Sequence, residues 1–243
     1  MTSIFNTTQA TAPLAQPISN YGNEHTQTAP LETEALGSDF PDLKVSKPLK
    51  IATGISSNTK QHVVFVADTS SSMSGHKIGE LNIGLNALYG ELAAPQNKDG
   101  FMGSLIQFSS GAKRLIFAES FLTLTAPTLT VGGGTNFDKA LTETIKTVQE
   151  FASLPNTDGW QYMRPQVLFL SDGHSAVSSQ NIQLLQEYAD VTAIAYGADA
   201  NSGTLSKIAS DGRVHVIGTN GGELRKFLAD VGQTLSQHLS SAR

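Results

Sequence analysis

The apolar run His62-Val63-Val64-Phe65-Val66-Ala67 ends abruptly in the polar string Asp68-Thr69-Ser70-Ser71-Ser72. A continuous β-branched and aromatic stretch of this length reads as a strand buried on both faces. Such strands belong to parallel sheets covered by helices on each side. In an open α/β sheet, ligands bind at the carboxyl ends of the strands, and the polar string sits at that end. It offers a carboxylate and hydroxyls, with no thiol or imidazole among them. Hard oxygen donors of this kind suit Mg²⁺ or a similar hard cation. The same residue types also make ordinary turns and helix N-caps, so the string gains meaning from its place between a buried strand and a long helix.

The rest of the chain keeps the alternation. A helix is predicted at about 76–94, with Ile78, Leu81, Leu85, Leu88 and Leu92 at helical spacing and Pro95 and Gly100 to end it. Phe101 to Phe108 and Lys113 to Ala118 read as strands, joined by the short turn Ser109-Ser110-Gly111 as a hairpin. Phe137, Leu141, Ile145, Val148 and Ala152 mark a helix, followed by a strand at 166–171, a helix at 178–189, a strand at 191–196, a short helix near 203–209 and a strand at 213–217. Leu224, Phe227, Leu228, Val231, Leu235 and Leu239 define a last helix. The expected fold class is α/β: a doubly wound, mainly parallel sheet with one antiparallel edge strand, helices on both faces and right-handed crossovers.

Residues 1–48 differ from the remainder. They are rich in Thr, Gln, Asn, Ala and Pro and lack hydrophobic periodicity. They read either as a loosely attached tail or as an arm that docks on a partner. The folded domain is expected over 49–243.

Two further segments belong with the polar string. Gly132-Gly133-Gly134-Thr135-Asn136-Phe137 precedes a helix, and Ser171-Asp172-Gly173 ends the buried strand Val167-Leu168-Phe169-Leu170. Asp68, Ser70, Ser72, Thr135 and Asp172, in this order, resemble the metal-ion-dependent adhesion site of von Willebrand factor type A (VWA) domains, with all five positions of the motif matched over about residues 60–240. The resemblance implies a Rossmann-like VWA fold and a Mg²⁺ site, with Mn²⁺ or Ca²⁺ as alternatives. It also implies that the hydroxyls bind the ion directly, while the roles of Thr135 and Asp172 shift with conformational state. Two carboxylates only balance a divalent ion, which leaves it able to accept an Asp or Glu from a protein partner. That is a binding function rather than catalysis.

The segment Trp160-Gln161-Tyr162-Met163-Arg164-Pro165 before the second strand end narrows the likeness to the bacterial TerY-type branch, linked to tellurite and other chemical stress. Its members are encoded beside a PP2C-type phosphatase and a serine/threonine kinase, which makes those proteins the expected partners. Trp160 and Tyr162 either line a partner surface or pack over a sheet edge. Other readings are a Mg²⁺-dependent hydrolase or phosphatase, and a subunit working with an AAA+ ATPase. The first is weakened by Ser70, which stands where a haloacid-dehalogenase-type phosphatase needs its second acid. A nucleophilic serine needs a base, and His76 and His174 are the nearest by sequence. Neither a G-x-S-x-G elbow nor a P-loop string is present.

A net charge of -5 and the lack of a Lys/Arg-rich run argue against nucleic acid as a partner. Without cysteine there is no thiolate metal site. The start Met1-Thr2-Ser3-Ile4-Phe5-Asn6 has neither a basic region nor an apolar one, and no run is long enough to span a bilayer. A cytoplasmic protein without membrane contact is expected.

Overall fold

The computed structural model describes residues 59–156, 159–220 and 222–243. The arm expected over 1–48 and the domain start at 49 lie outside the described residues. Among the described residues seven strands form one sheet: β1 (Thr59–Asp68), β2 (Phe101–Phe108), β3 (Ala112–Ser120), β4 (Gln161–Tyr162), β5 (Gln166–Ser171), β6 (Asp190–Tyr196) and β7 (Val214–Ile217). Five helices accompany them: α1 (His76–Leu92), α2 (Phe137–Ala152), α3 (Ser179–Tyr188), α4 (Ser202–Ile208) and α5 (Glu223–Ala242). The order across the sheet is β3-β2-β1-β5-β6-β7, parallel throughout except for the β2–β3 pair. The α/β class, the parallel sheet and the antiparallel edge strand β3 are as the sequence pattern predicts.

Strand β1 explains the two layers. Side chains alternate across a strand, so Val63, Phe65 and Ala67 enter one core with Leu81, Leu85 and Leu88 of α1 and Leu224, Leu228 and Val231 of α5. Val64 and Val66 enter the other, with Leu141 and Val148 of α2, Leu185 of α3 and Leu205 of α4. Because both faces are covered, the strand carries no polar-apolar alternation.

The connections place the site. From β1 the chain crosses to β2 on one side; after α2 it returns to β5 on the other side. The strand order therefore reverses at β1 and β5, the position at which open α/β sheets form their ligand crevice.

Two features depart from expectation. Strand β1 begins at Thr59 rather than 62, since its first two residues pair with β4. This start is polar but buried. Lys60 reaches Asp99 at 2.8 Å and lies 4.3 Å from the Trp160 ring centre. The Tyr162 ring meets Phe151 edge-on at 5.1 Å. Trp160 and Tyr162 thus have intramolecular partners at the amino end of β1, opposite Asp68. The first helix also ends earlier, at Leu92, and Pro95 opens a separate turn of 3₁₀-helix. Among the described residues, no helix is long and apolar enough to cross a membrane.

Candidate metal centre

Asp68 is the last residue of β1, and Ser171 is the last of β5. Since Ala67 pairs with Leu170 in parallel register, these two ends lie side by side. The Ser171 hydroxyl donates to Asp68 Oδ2 at 2.5 Å. The other carboxylate oxygen, Oδ1, accepts the Ser70 amide at 2.8 Å, which turns the chain back over the strand end. Residues Ser71–Met73 then form one 3₁₀ turn before α1. That turn brings the Ser72 hydroxyl 3.0 Å from Ser70 Oγ and lets it donate to Asp172 Oδ1 at 2.7 Å. With the Ser72 proton committed to Asp172, the Ser70 hydroxyl donates to Ser72. A hydroxyl chain therefore runs from Ser70 to Asp172, the residue next after β5.

The glycine loop closes the third side. Gly132 donates its amide to Thr69 O at 2.8 Å, and Gly133 O accepts both the amide (3.0 Å) and the hydroxyl (2.8 Å) of Ser71. Gly133 has φ of 78°, open to glycine at little cost. A Cβ there would stand 2.8 Å from Ser110 Oγ, whose hydroxyl accepts the Gly134 amide at 2.7 Å. Thr135 follows directly. Its Oγ1 would lie 2.8 Å from a Cβ on Gly173, and the same Cβ would lie 3.3 Å from Asp68 Oδ2. Asp68, Ser70, Ser72, Thr135 and Asp172 thus converge at one strand-end cluster.

The electrostatics of the cluster call for a cation. Asp68 and Asp172 are 0% and 3% exposed. Burial pushes the Asp68 carboxyl above its ordinary range, and the charge of Asp172 pushes the same way, against the hydrogen bonds from Ser171 and Ser70. Two carboxylates buried in one cluster need a positive partner. Part of it is intramolecular: Lys77 Nζ lies 2.5 Å from Asp172 Oδ2. An all-oxygen set of two acids and three hydroxyls fits a hard divalent ion. Among the described residues no group of three His, Cys, Asp or Glu side chains gathers for a metal, so any such centre relies on its hydroxyls.

The two histidines weighed as bases are engaged elsewhere. His174 Nε2 is 2.7 Å from Asp199 O, and His76 lies 3.6 Å from Glu80. The described hydroxyl contacts of Ser70 and Ser72 involve Asp172 and each other, not an imidazole.

Sequence reasoning missed three contributors. In sequence Ser171 carries no role beyond ending its strand, and Ser110 reads as a plain hairpin residue. Lys77 had a readable signal: a cation in the first turn of a helix opposes the helix dipole and needs a compensating partner.

The fold and the oxygen cluster define a class of domain in which a strand-end polar crevice lies between β1 and β5. A sequence profile of the von Willebrand factor type A domain matches residues 62–229, more than half of the chain, and the chain belongs to that family. No curated protein matches it. Among solved structures it is similar to a von Willebrand factor type A protein from Catenulispora acidiphila, at 17% identity over 74% of this chain and 43% of that one (TM-score 0.56). It is also similar to VWA2, the ArnB paralog from Sulfolobus acidocaldarius, at 22% identity over 70% and 44% (TM-score 0.53). A third is proximal thread matrix protein 1 from the mussel byssus with a zinc-occupied MIDAS motif, at 18% identity over 72% and 48% (TM-score 0.53). The chain spans less than half the length of each of these proteins.

Proposed function

We propose that this chain is a metal-dependent protein-binding module. Asp68, Ser70, Ser72, Thr135 and Asp172 hold one divalent cation, Mg²⁺ in the first instance with Mn²⁺ or Ca²⁺ as substitutes. The cation in turn takes an Asp or Glu side chain from a partner protein. The observation that carries this reading is the donor set: two buried carboxylates, Asp68 bonded to the Ser70 amide and Asp172 to the Ser70–Ser72 hydroxyl chain, with no third acid gathered there among the described residues. A divalent ion held by two acids and neutral hydroxyls keeps an appetite for one more anion. A Mg²⁺ ion also retains waters readily, and one of these is what a partner carboxylate would replace. Zinc prefers nitrogen and sulfur ligands, so this oxygen-only set is expected to favour the harder ions.

The protein's own residues do the positioning. Asp68 and Asp172 supply charge, and Ser171 and the Ser70 amide fix the Asp68 carboxylate. Ser70 and Ser72 are aligned by their shared hydrogen bonds, and the Gly132–Gly134 loop carries Thr135 to the remaining side. This arrangement needs no nucleophile or base, and we read the domain as non-catalytic. We place it in the cytoplasm and assign it to the TerY-type branch on the Trp160–Pro165 context. On that assignment a PP2C-type phosphatase or a serine/threonine kinase is the first partner to test.

The test is a pull-down from lysate and with those two candidate partners, in Mg²⁺ against EDTA. Capture is expected in Mg²⁺, lost in EDTA and restored on adding Mg²⁺ back. Thr135→Ala should weaken capture more than it weakens metal binding. A complex that survives both EDTA and Asp68→Ala would mean that the partner uses another face.

A further inference from the structure

The ammonium of Lys77 sits where a site of two carboxylates has no need of it if charge balance with a divalent ion were the only requirement. Its Nζ is 2.5 Å from Asp172 Oδ2, the oxygen left over after Ser72 has taken Oδ1. Asp172 is buried, whereas the Lys77 side chain is about one-fifth exposed (21%). The lysine therefore reaches from the surface into the cluster, with its tip 3.3 Å from where a Cβ on Gly197 would stand. On its outer side Lys77 lines an open cleft of about 550 Å³ with Ser74, His76, Thr219 and Asn220. A ligand arriving from solvent at the strand ends would meet this ammonium beside the Asp172 carboxylate.

We propose that Lys77 sets the charge of the metal centre and thereby its ligand class. This rests on the metal-binding reading above. Without Lys77, a divalent ion and the two carboxylates sum to zero. With Lys77 the loaded centre keeps one positive charge, which favours an anionic ligand. The same ammonium opposes the incoming cation, so the site gives up metal affinity in exchange for anion selectivity. Opposite charges in close contact near a protein surface interact strongly enough to move an equilibrium about tenfold or more. The ligand class is a carboxylate, held by the metal and drawn in by the Lys77 ammonium at the mouth of the cleft.

The experiment uses the full chain with Mn²⁺ as the probe metal and acetate as the probe anion. Calorimetry gives the Mn²⁺ affinity, and water-proton relaxation of the Mn²⁺-loaded protein reports acetate binding. Lys77→Met is expected to bind Mn²⁺ about tenfold more tightly and acetate about tenfold more weakly than the wild type. Lys77→Arg keeps the charge and should match the wild type in both. Lys77→Gln keeps a hydrogen-bond donor for Asp172 but no charge. It should follow the Met variant if charge is at work and the wild type if the contact is merely a strut; the latter overturns the proposal. Unchanged Mn²⁺ and acetate affinities in Lys77→Met, with the wild type binding metal, overturn the Lys77 inference and leave the metal centre standing. Absence of Mn²⁺ binding in the wild type and every variant overturns both.

Discussion

Gly173→Ala offers a stringent test of where Thr135 belongs. A Cβ at position 173 would lie 2.8 Å from Thr135 Oγ1, 3.0 Å from its Cγ2 and 3.3 Å from Asp68 Oδ2. The first contact is too short to persist and the second is tight, so the Thr135 side chain has to shift. The backbone at 173 is outside the left-handed region, so alanine brings no conformational strain of its own. It also restricts the unfolded chain, a gain of about 0.4–1 kcal/mol. Overpacking of this kind costs about 1–3 kcal/mol. The net loss then lies between about 0 and 2.6 kcal/mol, and each kcal/mol lowers the melting temperature of a domain this size by roughly 2–4 °C. The metal effect should be larger in proportion. Even groups that only orient a metal ligand are worth about 10–100-fold in affinity, and here a proposed ligand is displaced. The assay is a pair of thermal melts, in EDTA and in Mg²⁺, with the affinity read by calorimetry. Adding Thr135→Ala removes both clashing atoms, so the double variant should regain the stability lost in EDTA but not the Mg²⁺ response. If Gly173→Ala keeps the full wild-type Mg²⁺ response, Thr135 does not serve the metal, and the five-residue site is wrongly drawn.

Other outcomes follow from the same structure. Mg²⁺ or Mn²⁺ at about 100 times its dissociation constant should stabilise the wild type by roughly 2.7 kcal/mol, and Asp68→Ala should melt cooperatively yet show none of this gain. His62 is fully buried, its Nε2 2.8 Å from Ser104 Oγ, and burial together with the Arg114 charge lowers its pKa from 6.5 to about 3. Below pH 6.5 the unfolded chain therefore takes up a proton that the native state refuses. The His62 contribution is intact above that pH and is lost as pH falls towards 3, by about 3 kcal/mol at pH 4. Urea melts across that window should show a flatter pH dependence for His62→Gln, and an unchanged slope would mean that His62 is protonated in the fold. Leu228 of α5, fully buried against α1, should cost about 2–5 kcal/mol on truncation to alanine. At retained folding, Leu228→Ala is also expected to alter partner affinity while leaving the Mg²⁺ dissociation constant unchanged. Equal partner affinity would indicate a rigid module.

The fold was legible because its central strands, β1 and β5, are buried on both faces. Val63 to Ala67 and Val167 to Leu170 carry no polar residue to blur them, and each ends in the acid-bearing motif that the sheet then sets side by side. The hairpin edge strand was legible from its short turn. What escaped was polar and buried. The apolar pattern starts the strand at His62, yet Thr59, Lys60 and Gln61 also lie inside it, and this polar start is held by β4, Asp99, Ser104 and the aromatic rings of Trp160 and Phe151. A two-residue strand such as Gln161–Tyr162 has no periodicity to detect; only its partner defines it. The same holds for Ser110 and Ser171, whose hydroxyls act through residues remote in sequence. Local pattern specifies elements, whereas these contacts exist only once distant segments are brought together.

One buried side chain links the site to the helices behind it. Met73 closes the 3₁₀ turn that begins at Ser71, and it is fully buried in the core formed by β1, α1 and α5. Ser70 and Ser72 lie three and one residues before it, on the short path from β1 to α1. A partner carboxylate taken up at the loaded centre would shift those hydroxyls and with them the turn, and the turn would not move without moving Met73. Close-packed cores do not absorb such displacements at the point where they arise. The displacement has to pass to the leucines of α1 and α5 that share the core, Leu228 among them. Lys77 acts on the same path, because it ties the first turn of α1 to Asp172. Partner uptake and the lysine would thus bear on a single mechanical element from two sides, one through the Ser71–Met73 turn and the other through the start of α1. It is this arrangement that makes partner affinity, rather than metal affinity, the quantity a Leu228 variant should report.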